Sequence, residues 1–279
     1  MPEPSYVLQW DQTGEKIWET GIDHGVLYLQ DGNGDYSNGY VWNGLTGVSE
    51  SPSGGDNNAE YADNIKYANI TSREDYAATI NAFTYPDEFA ECDGSAVIAT
   101  GVYAGQQTRK PFGFSYRSKI GNDLLDDAYG YKIHLIYAAK ASPSGKDYNT
   151  ANESLELATF SWDVTTTSVE VPGNRPTAHV IIDSTKANAT KLAALEQILY
   201  GTPAIEAADA VYAQVPADAV FDGTKTYYTK DGTTYTEATG LASFANGTTY
   251  YTMTSPAVTA SAAVNPRLPL PAEVISLMS

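Results

Sequence analysis

The chain has 279 residues, of which 42% are hydrophobic and 18% charged, so wholesale disorder is excluded and one large domain or two modest ones are expected. Sixteen basic against thirty-four acidic residues give a net charge of −18, which excludes a tight sequence-specific DNA binder, because phosphate neutralisation needs a basic face. A single cysteine, Cys92, excludes an intramolecular disulfide framework, and no stretch approaches the ~20 apolar residues of a membrane span.

The opening Met1-Pro2-Glu3-Pro4 lacks the positive start and apolar run of a secretion signal, so folding in a cytoplasm is expected. Tyr (21) outnumbers Phe (7) and Trp (4), and such Tyr-rich composition favours strands. Val26-Leu27-Tyr28-Leu29 reads as a strand ending at Asp31-Gly32-Asn33-Gly34, with Tyr40-Val41-Trp42 as the next. The acids of this turn do not make a calcium loop: an EF-hand needs Gly at its sixth position and Glu at its twelfth, where this chain has Tyr36 and Trp42. Residues 44–60, with Ser51-Pro52-Ser53-Gly54-Gly55-Asp56, predict a long mobile loop. Residues 66–71, 79–85 and 112–119 look extended, the last leading to a turn at Gly121-Asn122-Asp123. Residues 129–138 form the clearest strand, with Tyr131, Ile133, Leu135 and Tyr137 on one face and His134 on the other. Residues 157–171 and 179–183 are further strands.

One helix is predicted over 184–200, capped by Ser184 or Thr185, with Leu192, Leu195 and Leu199 at helical spacing and Gly201 as its stop. Its apolar stripe must cover a sheet. Residues 206–262 then hold a near-repeat: Phe221-Asp222-Gly223-Thr224-Lys225-Thr226-Tyr227-Tyr228-Thr229 against Phe244-Ala245-Asn246-Gly247-Thr248-Thr249-Tyr250-Tyr251-Thr252. Lys230-Asp231-Gly232-Thr233 predicts a hairpin pairing Tyr227-Tyr228 with Tyr235, and the Ala-, Pro- and Ser-rich flanks read as linkers. An extended Pro266-Arg267-Leu268-Pro269-Leu270-Pro271 tail and a short helical turn over 272–278 close the chain. Residues 1–205 and 263–279 therefore form one discontinuous domain, and 206–262 an inserted β-rich module.

Charge is laid out unevenly. Residues 1–65 carry eleven acids and one base, whereas 100–146 carry seven bases and three acids; two such regions can attract across a subunit boundary. Catalytic patterns are absent: His24, His134 and His179 lie far apart in sequence with no zinc spacing, and Cys92 sits among acids that disfavour a thiolate. Adjacent Asp126-Asp127 point apart, so a glycosidase carboxylate pair is not expected. The sequons at Asn69, Asn152, Asn188 and Asn246 carry no weight without secretion. Neither an enzyme nor a cofactor is expected.

Several phrases carry a resemblance. They are Val41-Trp42-Asn43-Gly44-Leu45-Thr46-Gly47 running on to Gly54, Tyr61-Ala62-Asp63-Asn64-Ile65-Lys66-Tyr67, and Thr84-Tyr85-Pro86-Asp87-Glu88-Phe89-Ala90-Glu91-Cys92-Asp93-Gly94. Gly105-Gln106-Gln107-Thr108-Arg109-Lys110-Pro111-Phe112-Gly113, Gly130-Tyr131-Lys132-Ile133-His134 and Asn265-Pro266-Arg267-Leu268-Pro269 complete the set. In combination, over residues 5–202 and 264–278, the chain resembles the major tail (tail tube) proteins of long-tailed, non-contractile bacteriophages; residues 206–262 interrupt the pattern. The resemblance implies a mainly β (α+β) tail-tube-like β-sandwich or open barrel with one flanking helix, plus the hairpin insertion. It also implies hexameric rings stacked into a conduit for the genome in the virion tail, assembled in the host cytoplasm. Tape measure, tail terminator and tail tip proteins would be the partners, and DNA would pass through the lumen without specific binding. The expected assembly surface comprises Arg109, Lys110 and Arg117 from the basic segment, Glu50, Asp56, Glu60 and Asp63 from the acidic one, and Trp42. The alternative function is a glycan- or cell-surface-binding β-module of a phage particle, with Tyr227, Tyr228, Tyr250 and Tyr251 as stacking platform.

Overall fold

The computed structural model describes residues 8–146, 150, 157–216 and 218–279. The Met1-Pro2-Glu3-Pro4 opening and the Asn152 sequon lie outside them. Buried positions alternate along residues 77–82 and 160–166, but parts of the longest strands are buried on both faces and form continuous runs rather than simple alternations. Val26, Leu27 and Tyr28 are all covered, as are the five residues from Phe112 to Tyr116.

Contacts divide the chain into two compact units, one running to Gly201 and resuming at Asn265, the other Thr202–Val264. In the first, the elements are β1 (Ile17–Gln30), β2 (Tyr36–Val41), β3 (Leu45–Glu50), β4 (Ser53–Gly54), β5 (Asn57–Ala62), β6 (Ile65–Thr71), β7 (Glu74–Asp75) and β8 (Ala77–Ala82). A 3-10 turn (Asp87–Glu91) precedes β9 (Ala96–Ala99), β10 (Val102–Ala104), β11 (Phe112–Asn122), β12 (Asp126–Ala141), β13 (Phe160–Thr166), β14 (His179–Asp183) and α1 (Ala189–Tyr200). The main sheet has nine strands, including the closing β19 described below, in the order β19-β2-β1-β11-β12-β13-β8-β3, with β14 also on β12. Every pairing is antiparallel.

The long β12 serves two neighbours: residues 132–136 pair with β14, and 139–141 with β13. Ala138, at φ 45°, stands between the two stretches, and an irregular residue of this kind bends and twists a strand. The sheet curls until β3 reaches β1, where the Leu45 side chain fills the space a Cβ on Gly25 would need. The fold is thus mainly β, a sandwich made by one curled antiparallel sheet with a flanking helix.

One face of the sheet closes on Leu27, Trp42, Ile80, Phe89, Phe114 and Trp162. The Trp42 ring lies 4.6 Å from Phe89, 5.4 Å from Phe114 and 5.6 Å from Trp162, and such pairs add about 0.5–1.5 kcal/mol each beyond area burial. The opposite face presents Tyr28, Ile133, Leu135 and Tyr137 to Leu192, Leu195 and Leu199 of α1. The Tyr131–Tyr137 row meets the helix, as its period predicts. Two hydroxyls buried in this helix-side core are satisfied by backbone: Tyr28 donates to the Leu199 carbonyl at 2.9 Å and Tyr137 to that of Pro269 at 2.9 Å.

Several boundaries differ from the sequence expectation for local reasons. The helix cap is Asn188, whose Oδ1 accepts the Thr190 and Lys191 N–H groups. Ser184 instead accepts the Tyr131 N–H, and the Thr185 hydroxyl is taken by Asp183. Gly201, at φ 77°, ends the helix as read, its N–H returning to the Gln197 carbonyl. The turn expected over 121–123 moves outward, because β11 runs to Asn122, whose side chain accepts the Leu124 and Leu125 N–H groups. The strand expected over 157–171 contracts to β13. Residues 44–60 are not a loop but hold β3, β4 and most of β5.

The second unit holds β15 (Val211–Gln214), β16 (Tyr228–Asp231), β17 (Thr234–Glu237) and β18 (Tyr251–Ser255) in a sheet ordered β15-β18-β16-β17. Its repeat is longer than the sequence phrases suggest. Tyr212↔Met253 in one half answers Tyr235↔Lys230 in the other, with Tyr228 facing Tyr251 in the middle. Tyr212 and Tyr235 stack at 3.9 Å. The register shifts two residues from expectation, pairing Tyr228 with Glu237 and Lys230 with Tyr235. The flanks are not free linkers: Thr202, Ile205 and Ala208 bridge to Val264, Ser261 and Val258. Finally β19 (Arg267–Leu268) joins β2, and α2 (Pro271–Met278), longer than the single turn expected, adds Val274 to the helix-side core.

Candidate assembly surface

Between β3 and β8 the chain leaves the sheet as an arm. Ser53 and Gly54 pair with Asp75 and Glu74 at its root, and β5 pairs with β6 beyond. Asp63 and Asn64 turn the ribbon with φ of 51° and 62°, the doubly positive geometry of a tight hairpin, which Asn and Asp tolerate best. At Gly54, φ is 83° and an added Cβ would stand 2.2 Å from the Arg73 carbonyl, so only glycine fits. Nearly every residue of β5 and β6 is exposed, including Tyr61 (70%), Ile65, Tyr67 (76%) and Ile70. A two-stranded ribbon has marginal stability by itself, and a contiguous exposed apolar surface marks an interaction site. A second ribbon, β9 with β10, exposes Val97, Ile98, Val102 and Tyr103 around Gly101.

The residues expected on an assembly surface separate into four groups. Asp56, Glu60 and Asp63 stand on the exposed arm and form no ion pair among the described residues. Trp42, 2% exposed, is core: its Nε1 donates to the Thr84 carbonyl at 2.9 Å, so it cannot be an interface residue. The basic residues are engaged within their own chain. Arg117 donates to Asp23 at 2.9 Å and lies 4.5 Å over the Tyr131 ring. Lys110 holds Glu91 at 2.6 Å, Lys132 pairs with Glu19, and Arg109 donates to the Asp93 carbonyl at 3.0 Å. Two ion pairs thus join the acidic and basic segments within the chain, Asp23 with Arg117 from β1 to β11 and Glu19 with Lys132 from β1 to β12. Burial alone would raise the Asp23 carboxyl; the hydrogen bond and charge of Arg117, with His24, outweigh it and hold Asp23 below the usual carboxylate range.

Glu50 goes elsewhere, into a group the sequence spacing concealed. The β12–β14 pairing sets His134 beside Ile181, and so diagonal to His179. His134 Nδ1 lies 3.1 Å from His179 Nε2, and Glu50 Oε1 lies 3.4 Å and 3.6 Å from these two nitrogens. Among the described residues this is the one group of three His, Cys, Asp or Glu side chains close enough to share a metal ion. The expectation that His134 and His179 stand apart from any second histidine is therefore overturned. Tyr116 stacks on His134 at 4.4 Å and donates to Glu50 at 2.8 Å. Ser118 Oγ is 2.9 Å from His134 Nε2. Burial, and then His179, pushes the His134 imidazole down to about 4, and burial holds His179 below its ordinary value. The Tyr76 hydroxyl faces Glu50 and Tyr116, buried and without a hydrogen bond.

The remaining candidates are structural. Burial, aided by the charge of Glu91, pushes the Cys92 thiol up to about 12, the reverse of what a nucleophile needs. Asp31 Oδ1 accepts the Asn33 and Asp35 N–H groups, closing a turn. Tyr227 and Tyr250 are buried, their hydroxyls accepting the Asp222 and Ala245 N–H groups, so they offer no glycan platform. No described helix is long and apolar enough to cross a membrane. No protein-family model matches the chain, and none of the curated proteins matches it.

Proposed function

We propose that this chain is a structural subunit that associates with copies of itself, in the manner of the phage tail tube proteins it resembles, forming stacked six-membered rings around a DNA conduit in a virion tail. The observation that carries this reading is the β5–β6 arm, which exposes Tyr61, Ile65, Tyr67 and Ile70 and has no packing partner among its own described residues. A neighbouring copy would cover these side chains and supply the further strand or packing surface that a two-stranded ribbon needs. Three free acids, Asp56, Glu60 and Asp63, would guide the arm's docking. The charge of −18 supports passage of DNA without adhesion, since an acidic wall repels phosphate. Tape measure, terminator and tip proteins belong to the same reading.

The test images the purified full chain by negative-stain microscopy beside a variant in which residues 57–71 are replaced by a Gly-Asn turn joining Asp56 to Ser72, two residues already hydrogen-bonded at 2.9 Å. Rings or tubes from the full chain, and dispersed particles of unchanged circular dichroism from the variant, are expected. Dispersed monomers from the full chain at high concentration, or tubes from both, would overturn the reading.

A further inference from the structure

We infer that Glu50, His134 and His179 form a binding site for a divalent transition-metal ion of the zinc class. In a tetrahedral site with metal–ligand bonds of about 2.0–2.1 Å, ligand atoms stand about 3.3–3.5 Å apart. The three donor atoms form a triangle of 3.1, 3.4 and 3.6 Å, so one ion can bond all three. Two imidazoles and a carboxylate with an open fourth position are a donor set suited to zinc.

Hydrogen bonding among these groups does not complete them. One proton shared between the two facing nitrogens satisfies that pair, yet leaves Glu50 Oε1 opposite both rings with only the Tyr116 hydroxyl bonded to it. A cation at the centre satisfies all three donors at once. The supporting contacts are those a metal site uses: Ser118 fixes His134 through Nε2, freeing Nδ1 for the ion, and Tyr116 orients the carboxylate. The unbonded Tyr76 hydroxyl faces the same space, where the fourth position, filled by Tyr76 or water, would lie.

The position gives the ion a task. Glu50 is the last residue of β3 and Tyr76 immediately precedes β8, so the arm leaves and re-enters the sheet between them. His134 lies on β12, inside the sheet, and His179 on β14, which pairs with β12 alone. An ion here ties the arm's root to β12 and β14 and limits the directions the arm can take.

The experiment uses tag-free, metal-stripped full chain kept unassembled, so its outcome is independent of tube formation. Cobalt(II) is titrated while visible absorption is followed, then displaced by zinc. One equivalent per chain with a tetrahedral cobalt band is expected, and a rise in melting temperature with zinc. His179→Gln and Glu50→Gln should weaken binding at least tenfold, while Tyr116→Phe binds with smaller loss. X-ray absorption at the zinc edge of the wild-type protein should show two imidazoles per ion, a readout that does not depend on any variant folding. No cobalt band, a band unchanged in His179→Gln, or a zinc environment without two imidazoles would overturn the assignment.

Discussion

Trp42 shows what a single residue carries in this fold. Its indole touches rings from three separate segments, at Phe89, Phe114 and Trp162, and its N–H is spent on the Thr84 carbonyl. Truncation would leave a cavity and an orphaned carbonyl, and large-to-small changes at such sites cost about 3–5 kcal/mol. Trp42→Ala should therefore shift the urea midpoint by that equivalent or leave the chain unfolded; a loss below about 1 kcal/mol would mean the site collapses freely. The sequence phrase around Trp42 pointed to a family, but a phrase cannot say which of its members face inward. The histidines were hidden differently. His134 and His179 lie 45 residues apart, and only the β12–β14 register brings them together; a single strand's alternation says which face His134 takes, not which residue arrives beside it.

At the scale of elements, legibility followed burial. The Tyr131, Ile133, Leu135, Tyr137 row and the Leu192, Leu195, Leu199 stripe were readable because each buries one face against the other. The arm was legible only in part: residues 66–71 look extended and are β6, whereas 44–60 look like a loop because β5 buries neither face and its sequence marks no packed side. The terminal helix offers a test of electrostatics. Arg267 holds Glu273, in the first turn of α2, through paired hydrogen bonds, and this pulls the carboxyl below its ordinary 4.5. A depressed folded value means that the stabilisation is present above the unfolded value and is lost as pH falls from 4.5 through the folded one. The pair is partly exposed, so its worth at neutral pH is below about 1 kcal/mol. Comparing wild type with Glu273→Gln by denaturant melts, the gap should shrink on acidification through this window; a gap constant with pH would show that packing of α2, not charge, decides.

The whole molecule comprises two compact units, and whether the first depends on the second can be predicted. Among the described residues, neither apolar core of the first unit includes one between Thr202 and Val264. Tyr227 and Tyr250 pack instead on Phe221 and Phe244 within the second. The two ends of the second unit lie side by side, for Thr202 and Val264 exchange two backbone hydrogen bonds of 3.0 Å, and residues paired in this way have Cα atoms about 5.5 Å apart. A linker of a few Gly and Ser residues can span that gap with little closure entropy, letting α1 run on into the Pro-rich tail and β19. The chain lacking Thr202–Val264 should therefore stay soluble, keep its strand signal, and melt within about 3 °C of the parent, a shift near 1 kcal/mol or less. It should also self-associate as the full chain does, because the β5–β6 and β9–β10 ribbons remain. An insoluble or molten product would mean that the second unit completes the first. A folded product that no longer associates would instead place contacts between copies on the Tyr-rich sheet, and would move the proposed interface away from the arm.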